Sequence, residues 1–447
     1  MLRKFSRFFL LAVLLTACSP EAAPDTSGPT TLTGPALTSS PPQIGQSAAP
    51  PSPASGPKLG LTYQSADGNR FVSGKIDLRH TTPLDIPLQG KPVWVVSAQY
   101  LEGSLWVAAL ESGEIEAFTI LDGEVSRFSI APATLPPGMP PVLVTDGKEA
   151  YLANLGAANE SSLTHPLPLP DFGISVHILA DGGISVQGSQ SMLFNQQALP
   201  DTRIVSDGSN FIVLTAPTTA YDHGVLGDAV EASEISIYAT QPQPMLANSF
   251  KILGGRVIEG ILPILADLNG DGIREIIVTE SDLSNGAQIS VYSQDGKKIA
   301  SSAAIGLPYR WRHQIAAAPF GPNGEIELAD VLTPHLGRRI EFFQMDGSAL
   351  KVAAWVDGFT SHLIGSRNLD MSLAGDFDGD GIVELIVISP SLTSLAAVQR
   401  TMDGAVIDFE IDLEQELATN LSAVAFENGT IGLGAGLNGN TLRVWLE

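Results

Sequence analysis

The sequence predicts an all-β chain, a β-propeller of seven or eight mostly four-stranded blades closed by strands from its N- and C-terminal ends. Three observations carry this. Two nine-residue acidic turns recur, Asp267-Leu-Asn269-Gly-Asp271-Gly-Ile273-Arg-Glu275 and Asp376-Phe-Asp378-Gly-Asp380-Gly-Ile382-Val-Glu384. Each is followed by an apolar strand pattern ending in an Asp-Gly turn, Asp295-Gly296 or Asp403-Gly404, at offsets of 28 and 27 residues from the loop start. Finally, 44 glycines and 31 prolines punctuate the chain, and no long segment shows helical periodicity.

A third, decayed copy lies between the two. Pro319-Phe-Gly-Pro-Asn323-Gly-Glu325-Ile-Glu327 leads to Asp346-Gly347 at an offset of 27, with Pro319 and Gly321 at two oxygen-bearing positions. This copy is expected to keep the hairpin and lose any ion. Fainter copies lie around Val93–Val96, Val142–Gly147, His177–Gly182, Ile204–Gly208 and Ala423–Gly429. The stretch 141–200 is short enough to form two small blades or one irregular blade, so seven and eight both stand. The last module lacks a strand, which Gly60-Leu-Thr-Tyr63 or Phe71-Val-Ser-Gly74 would supply, removing exposed edges. Leu413-Glu-Gln-Glu-Leu-Ala418 reads as one helical turn between modules.

Ahead of the repeats stand two segments of different character. Residues 1–17 pair a basic start (Arg3, Lys4, Arg7) with ten residues from Phe8 to Ala17, the pattern of a secretory signal. That run is too short to cross a hydrocarbon core of about 30 Å. Leu15-Thr-Ala-Cys18 resembles the bacterial lipobox, which implies acylation of Cys18; the alternative is an ordinary signal with an incidental cysteine. Cys18 is the only cysteine, so no disulfide can form within one chain. Residues 18–58 are rich in Pro, Ser, Thr and Ala and read as a disordered tether, spanning roughly 35 Å as coil and up to about 120 Å as polyproline II. The propeller is assigned to 59–447. Ser19 in place of aspartate favours the outer membrane of a bacterial cell envelope by the family's sorting rule.

The acidic turns carry chemistry. Calcium takes six to eight oxygens at about 2.3–2.6 Å. Positions 1, 3, 5 and 9 of each turn offer side-chain oxygens, and position 7 a backbone carbonyl. An EF-hand loop would place its last carboxylate at position 12, where Val278 and Val387 stand. The pattern resembles the calcium loops of FG-GAP and VCBS-like repeats, found in integrin α-subunit propellers and bacterial repeat proteins. The resemblance implies two Ca²⁺ sites, one from Asp267, Asn269, Asp271, the Ile273 carbonyl and Glu275. The other comprises Asp376, Asp378, Asp380, the Ile382 carbonyl and Glu384. The family more often has aspartate at position 9. An Asp-Gly hairpin without metal is the competing reading.

The formal charge of −24, more negative by three once Arg3, Lys4 and Arg7 leave with the leader, speaks against nucleic acid as a partner. The seven histidines show no metal-ligand spacing, and no nucleophile elbow is present. Gly434-Ala-Gly436-Leu-Asn-Gly439 matches a dinucleotide fingerprint, but no helix-forming segment follows, so a hairpin is expected. Arg310, Trp311 and Arg312 form a candidate site for a carboxylate, an acidic sugar or an acidic partner; a salt-bridged strand end with Trp311 packed between blades is the alternative. The expected function is that of a monomeric envelope lipoprotein, held to the membrane by lipid, whose calcium-binding propeller is a non-catalytic scaffold for a protein or polysaccharide. Two alternatives stand beside it: a role in outer-membrane assembly, on resemblance to the propeller lipoprotein of the barrel-assembly machinery, and a polysaccharide lyase or hydrolase.

Overall fold

In the computed structural model, which describes residues 57–447, the alternating apolar segments become strands of two to nine residues joined by tight turns. The only helix among the described residues is a 3-10 turn at Pro170–Phe172, ended by Gly173. No helix there is long and apolar enough to cross a membrane. The signal at 1–17, Cys18 and the tether up to residue 56 lie outside the described residues.

Antiparallel meanders follow one another along the chain. The first holds Pro92–Tyr100, Gly103–Leu110, Ile115–Leu121 and Glu124–Phe128. Next comes a three-stranded group in which Lys58–Gly60 joins Leu143–Thr145 and Ala150–Leu152, then a separate four-stranded sheet at 167–194. The short stretch 141–200 therefore forms two small sheets. Meanders at 205–251, 264–301 and 312–357 are connected by Val257–Ile258, which pairs with the ends of the strands 231–239 and 275–281, and by the Ser301–Ala349 pair between outer strands. Meanders at 373–412 and 417–445 complete the set.

First strands of neighbouring meanders pack together at 92–100 with 143–145, 205–206 with 264–266, 264–266 with 312–318, and 312–318 with 373–376, and the strand at 417–425 packs against the one at 92–100, so the sheets close on themselves as a β-propeller. At that seam the buried Asn420 amide donates to the Val95 carbonyl (2.7 Å) and accepts from the Val95 N–H (2.9 Å), serving as a backbone substitute between sheets that share no ladder. Strand closure is made by Leu84–Pro87, which pairs Thr441–Trp445 antiparallel and is fixed by a two-pronged Arg443–Asp85 contact at 2.7 Å.

That corrects the expected closing strands. Lys58–Gly60 is consumed by the sheet at 143–152, and Phe71–Lys75 runs parallel to Leu373–Asp376 with a register break, touching Thr430 of the last sheet through Lys75. Between them the chain threads the ring. Carbonyls of Ala66, Asp67, Asn69 and Arg70 accept N–H bonds from Ser206 (2.7 Å), Leu265 (2.8 Å), Ala317 (3.0 Å) and Ala374 (2.9 Å), one from each successive inner strand. Inner strands of a ring leave such donors facing the axis, and this segment satisfies them.

One further expectation changes, and the hairpin expected at 434–439 is present, with Leu437 paired to Thr441. Leu413–Ala418 is not helical: Glu414 adopts φ 58°, and Leu417 already begins a strand. The glycines of 434–439 reflect packing, since a Cβ on Gly434 would lie 2.2 Å from the buried Trp106 ring; the turn falls at Asn438–Asn440.

Candidate metal centres

Each acidic turn joins the first and second strands of its meander. The first lies between Ile264–Ala266 and Glu275–Ser281, with Ala266 paired to Glu275. The second lies between Leu373–Asp376 and Glu384–Ile388, with Gly375 paired to Glu384. The register is therefore identical: the residue before position 1 faces position 9. Glycines at positions 4 and 6 have φ of 77° and 86° in one loop and 81° and 90° in the other, a region that side chains disfavour.

The hydrogen bonds also match. Asp267 accepts from Gly270 (2.7 Å) and Gly272 (2.8 Å); Asp376 accepts from Gly379 (2.7 Å) and Gly381 (3.0 Å). The Ile273 N–H donates to Asp271 (2.8 Å) and the Ile382 N–H to Asp380 (2.7 Å). Glu275 accepts from Leu268 (2.8 Å), Glu384 from Phe377 (2.7 Å). These bonds hold the carboxylates inward against their mutual repulsion.

Ligand oxygens of Asp267, Asp271 and Glu275 all lie within 4.8 Å of one another, as do those of Asp376, Asp378 and Glu384. Two oxygens opposite each other on one calcium ion at about 2.4 Å would be about 4.8 Å apart, so both groups fit such an ion. Asp380 stands outside the second group and is exposed, with Gln399 Nε2 donating to it at 3.3 Å. Asn269 turns its amide nitrogen to Glu275 (2.7 Å) and Asp271 (3.1 Å). Ile273 and Ile382 occupy position 7 with exposed side chains.

Glu384 is fully buried, and its Oε1 has no hydrogen-bond partner. Burial, and then the charges of Asp378, Asp376 and Asp380, push its carboxyl up to about 8 despite the Phe377 N–H. Burial likewise raises Glu275, with Asp267 and Asp271 adding to it. A cation in either loop would remove this repulsion. The decayed copy shows the alternative solution: Glu327, at position 9, is buried and held by Arg400 Nε (2.8 Å) and Nη2 (3.2 Å) from the next meander. There a guanidinium supplies the positive charge. Arg79 reaches Asp378 at 3.1 Å but leaves Glu384 unaccompanied. Arg79 and Arg400 escaped sequence reasoning because neither is near its loop in sequence.

The Arg310–Arg312 cluster does not act as one unit. Trp311 is buried, stacked on His313 (4.7 Å between rings) and donating to the Glu259 carbonyl at 2.8 Å. Arg312 is buried between Asp330 (2.8 Å) and Glu341 (2.7 Å). Only Arg310 reaches outward, into a cavity that Trp311 also lines.

No protein-family description and no curated relative matches this chain. Among solved structures it is similar to a chain of the mitotic checkpoint complex, at 12% identity and a TM-score of 0.43, covering 82% of this chain and 95% of that one. It is also similar to BamB from Moraxella catarrhalis, at 12% identity and a TM-score of 0.48, covering 82% of this chain and all of that one. At these values neither likeness bears on function. The propeller class rests on the sheet order and ring closure described above.

Proposed function

We propose that this chain is a cell-envelope lipoprotein whose propeller holds two structural calcium ions, has an eight-bladed ring, and serves as a non-catalytic scaffold for a protein or polysaccharide partner. The observation that carries the calcium reading is the contrast at position 9. Glu327 has an arginine, whereas the equally buried Glu384 has an unpartnered oxygen facing two other carboxylates. Burying an unpaired charge costs several kcal/mol, so without a cation this carboxyl keeps its proton at neutral pH, and an external cation is what would let it ionise in place. Both loops are tied into ladder ends, a position suited to stiffening hairpins.

Equilibrium dialysis against ⁴⁵Ca²⁺, with thermal melting in calcium and in EGTA, tests it. Two ions per chain and a higher melting temperature in calcium are expected. No bound calcium and coincident melting curves would overturn it.

A further inference from the structure

Strand alternation separates two faces. In an antiparallel meander the turn after the first strand lies at one end, and the turn after the second strand and the entry to the first lie at the other. Both acidic turns follow first strands. On the opposite face, loops of several meanders converge: His223 lies between the second and third strands of 205–251, and His335 and Leu336 between those of 312–357. Arg310 enters the first strand of 312–357, and Ile364 precedes that of 373–412. They surround a cavity of about 370 Å³, within the range of small-ligand sites.

The chemistry of this cavity is unlike the rest of an acidic surface. Arg310 is half-buried and donates only to the Tyr309 carbonyl (2.9 Å); among the described residues no carboxylate pairs with it. Arg338, beside the same rim, is likewise without an acidic partner among the described residues; burial first, then His223 and last Arg338, lower the proton affinity of His335. The acids nearby are already engaged: Glu259 with His223 and Ser281, and Asp222 with the Tyr309 hydroxyl (2.9 Å). Tyr309 stacks on Tyr221 at 5.4 Å, giving an aromatic wall, and Leu336 and Ile364 give an aliphatic one. Beneath lie His335 and His362, 4.6 Å apart, with His335 Nε2 and His362 Nδ1 buried and unpartnered. Tyr309, Thr333 and Arg338 hold φ of 53°, 47° and 54°, strain that is unusual for a β-branched residue such as Thr333 and tends to gather at binding sites.

We infer that this cavity binds an organic carboxylate carried on a compact apolar or aromatic body, with Arg310 holding the carboxylate and the Tyr309 and Leu336 walls holding the body. A guanidinium fork suits two carboxylate oxygens. A guanidinium would also take phosphate, but the Tyr309, Leu336 and Ile364 walls favour an acid that carries an apolar body over an inorganic anion. The inference rests on the non-catalytic binding role proposed above and narrows its ligand. Such a group could be a free acid or the C-terminal residue of a peptide.

Titration calorimetry of the calcium-loaded full chain tests this with N-acetylphenylalanine, its amide, a hexapeptide ending in phenylalanine with free or amidated C-terminus, and glucuronate. The acids should bind at least tenfold tighter than the amides, and Arg310→Gln should remove that preference without shifting the melting temperature. A hexapeptide bound tenfold tighter than the single residue identifies a chain terminus as the source, and equal affinity a free acid. Equal binding of acid and amide, no binding of either, or binding of glucuronate alone would overturn the inference. With two calcium ions still counted, such failure would leave the calcium-stabilised scaffold standing.

Discussion

Replacing Glu384 by glutamine separates a metal site from a hairpin that merely contains acids. The carboxylate is buried, unpartnered at Oε1, and flanked by Asp376 and Asp378. Glutamine preserves its shape and its bond from the Phe377 N–H while removing one charge. Without calcium, the variant should be as stable as the parent or more so, since a repelled, desolvated carboxylate has gone. With calcium it should lose one ion's share of stabilisation. At free calcium one hundred times Kd that share is about 2.7 kcal/mol per site. At about 2.1 cal/mol/K per residue over roughly 390 residues, the unfolding entropy near the midpoint is about 0.8 kcal/mol/K, so one site corresponds to about 3 °C in Tm. Differential scanning calorimetry in EGTA and in calcium, with bound calcium counted by dialysis, reads both effects. The expected pattern is an unchanged or raised Tm in EGTA, a Tm about 3 °C below the parent in calcium, and one ion instead of two. Equal destabilisation in both buffers, or two ions retained, would refute the reasoning.

Other outcomes follow from neighbouring contacts. Arg400→Leu strands the buried Glu327 and should cost about 3–5 kcal/mol in urea unfolding, much of it recovered by adding Glu327→Leu. Gly434→Ala drives a methyl into Trp106 and should cost roughly 1–3 kcal/mol in the same assay. His165 is buried against Tyr63, and burial, with the charge of Arg203, lowers its pKa to about 3. Between about 3 and 6.5 the unfolded chain therefore binds the extra proton, so this residue makes stability rise with pH and fall on acidification. In EGTA, His165→Gln should flatten the pH dependence of unfolding by about 0.7 kcal/mol per pH unit at pH 6.5, rising to about 1.3 near pH 5, relative to the parent; an unchanged slope would count against it.

What the sequence disclosed was local in origin. Each acidic turn depends on residues within nine positions of one another, its repeat on residues within 28, and the structure gives both loops the same register and bonds. The hairpin at Pro319–Glu327 was equally visible, and Ala318 pairs with Glu327 across it. Ring closure was not. Leu84-Asp-Ile-Pro87 is a weaker strand pattern than Phe71-Val-Ser-Gly74, and it takes the closing position through Arg443, some 358 residues away in sequence. The Gln-Glu stretch at 413–418 misled because Leu413 and Leu417, four apart, are both buried as they would be on a helix, while one left-handed residue between them breaks it. Arg312 misled for a different reason: charged residues in a run are usually solvated, but here Asp330 and Glu341 on adjacent strands make a buried site for it.

The threaded segment links the acidic loops to the rest of the ring. Ile76 and Leu78 donate N–H bonds to the carbonyls of Asp376 (3.0 Å) and Phe377 (2.9 Å), and Arg79 reaches the Asp378 carboxylate and carbonyl. The backbone of the second loop is thus one wall of the channel along which residues 71–79 run before Leu84–Pro87 closes the propeller. A cation there would fix the turn that this segment leans on, so its stabilisation would extend from one hairpin to the closing seam. The first loop touches the thread more lightly, through Arg274 on Asp67 at 3.3 Å. Unequal coupling follows: loss of the second ion should loosen the N-terminal segment, as protease cleavage near Arg79 would show, whereas loss of the first should stay within its own hairpin.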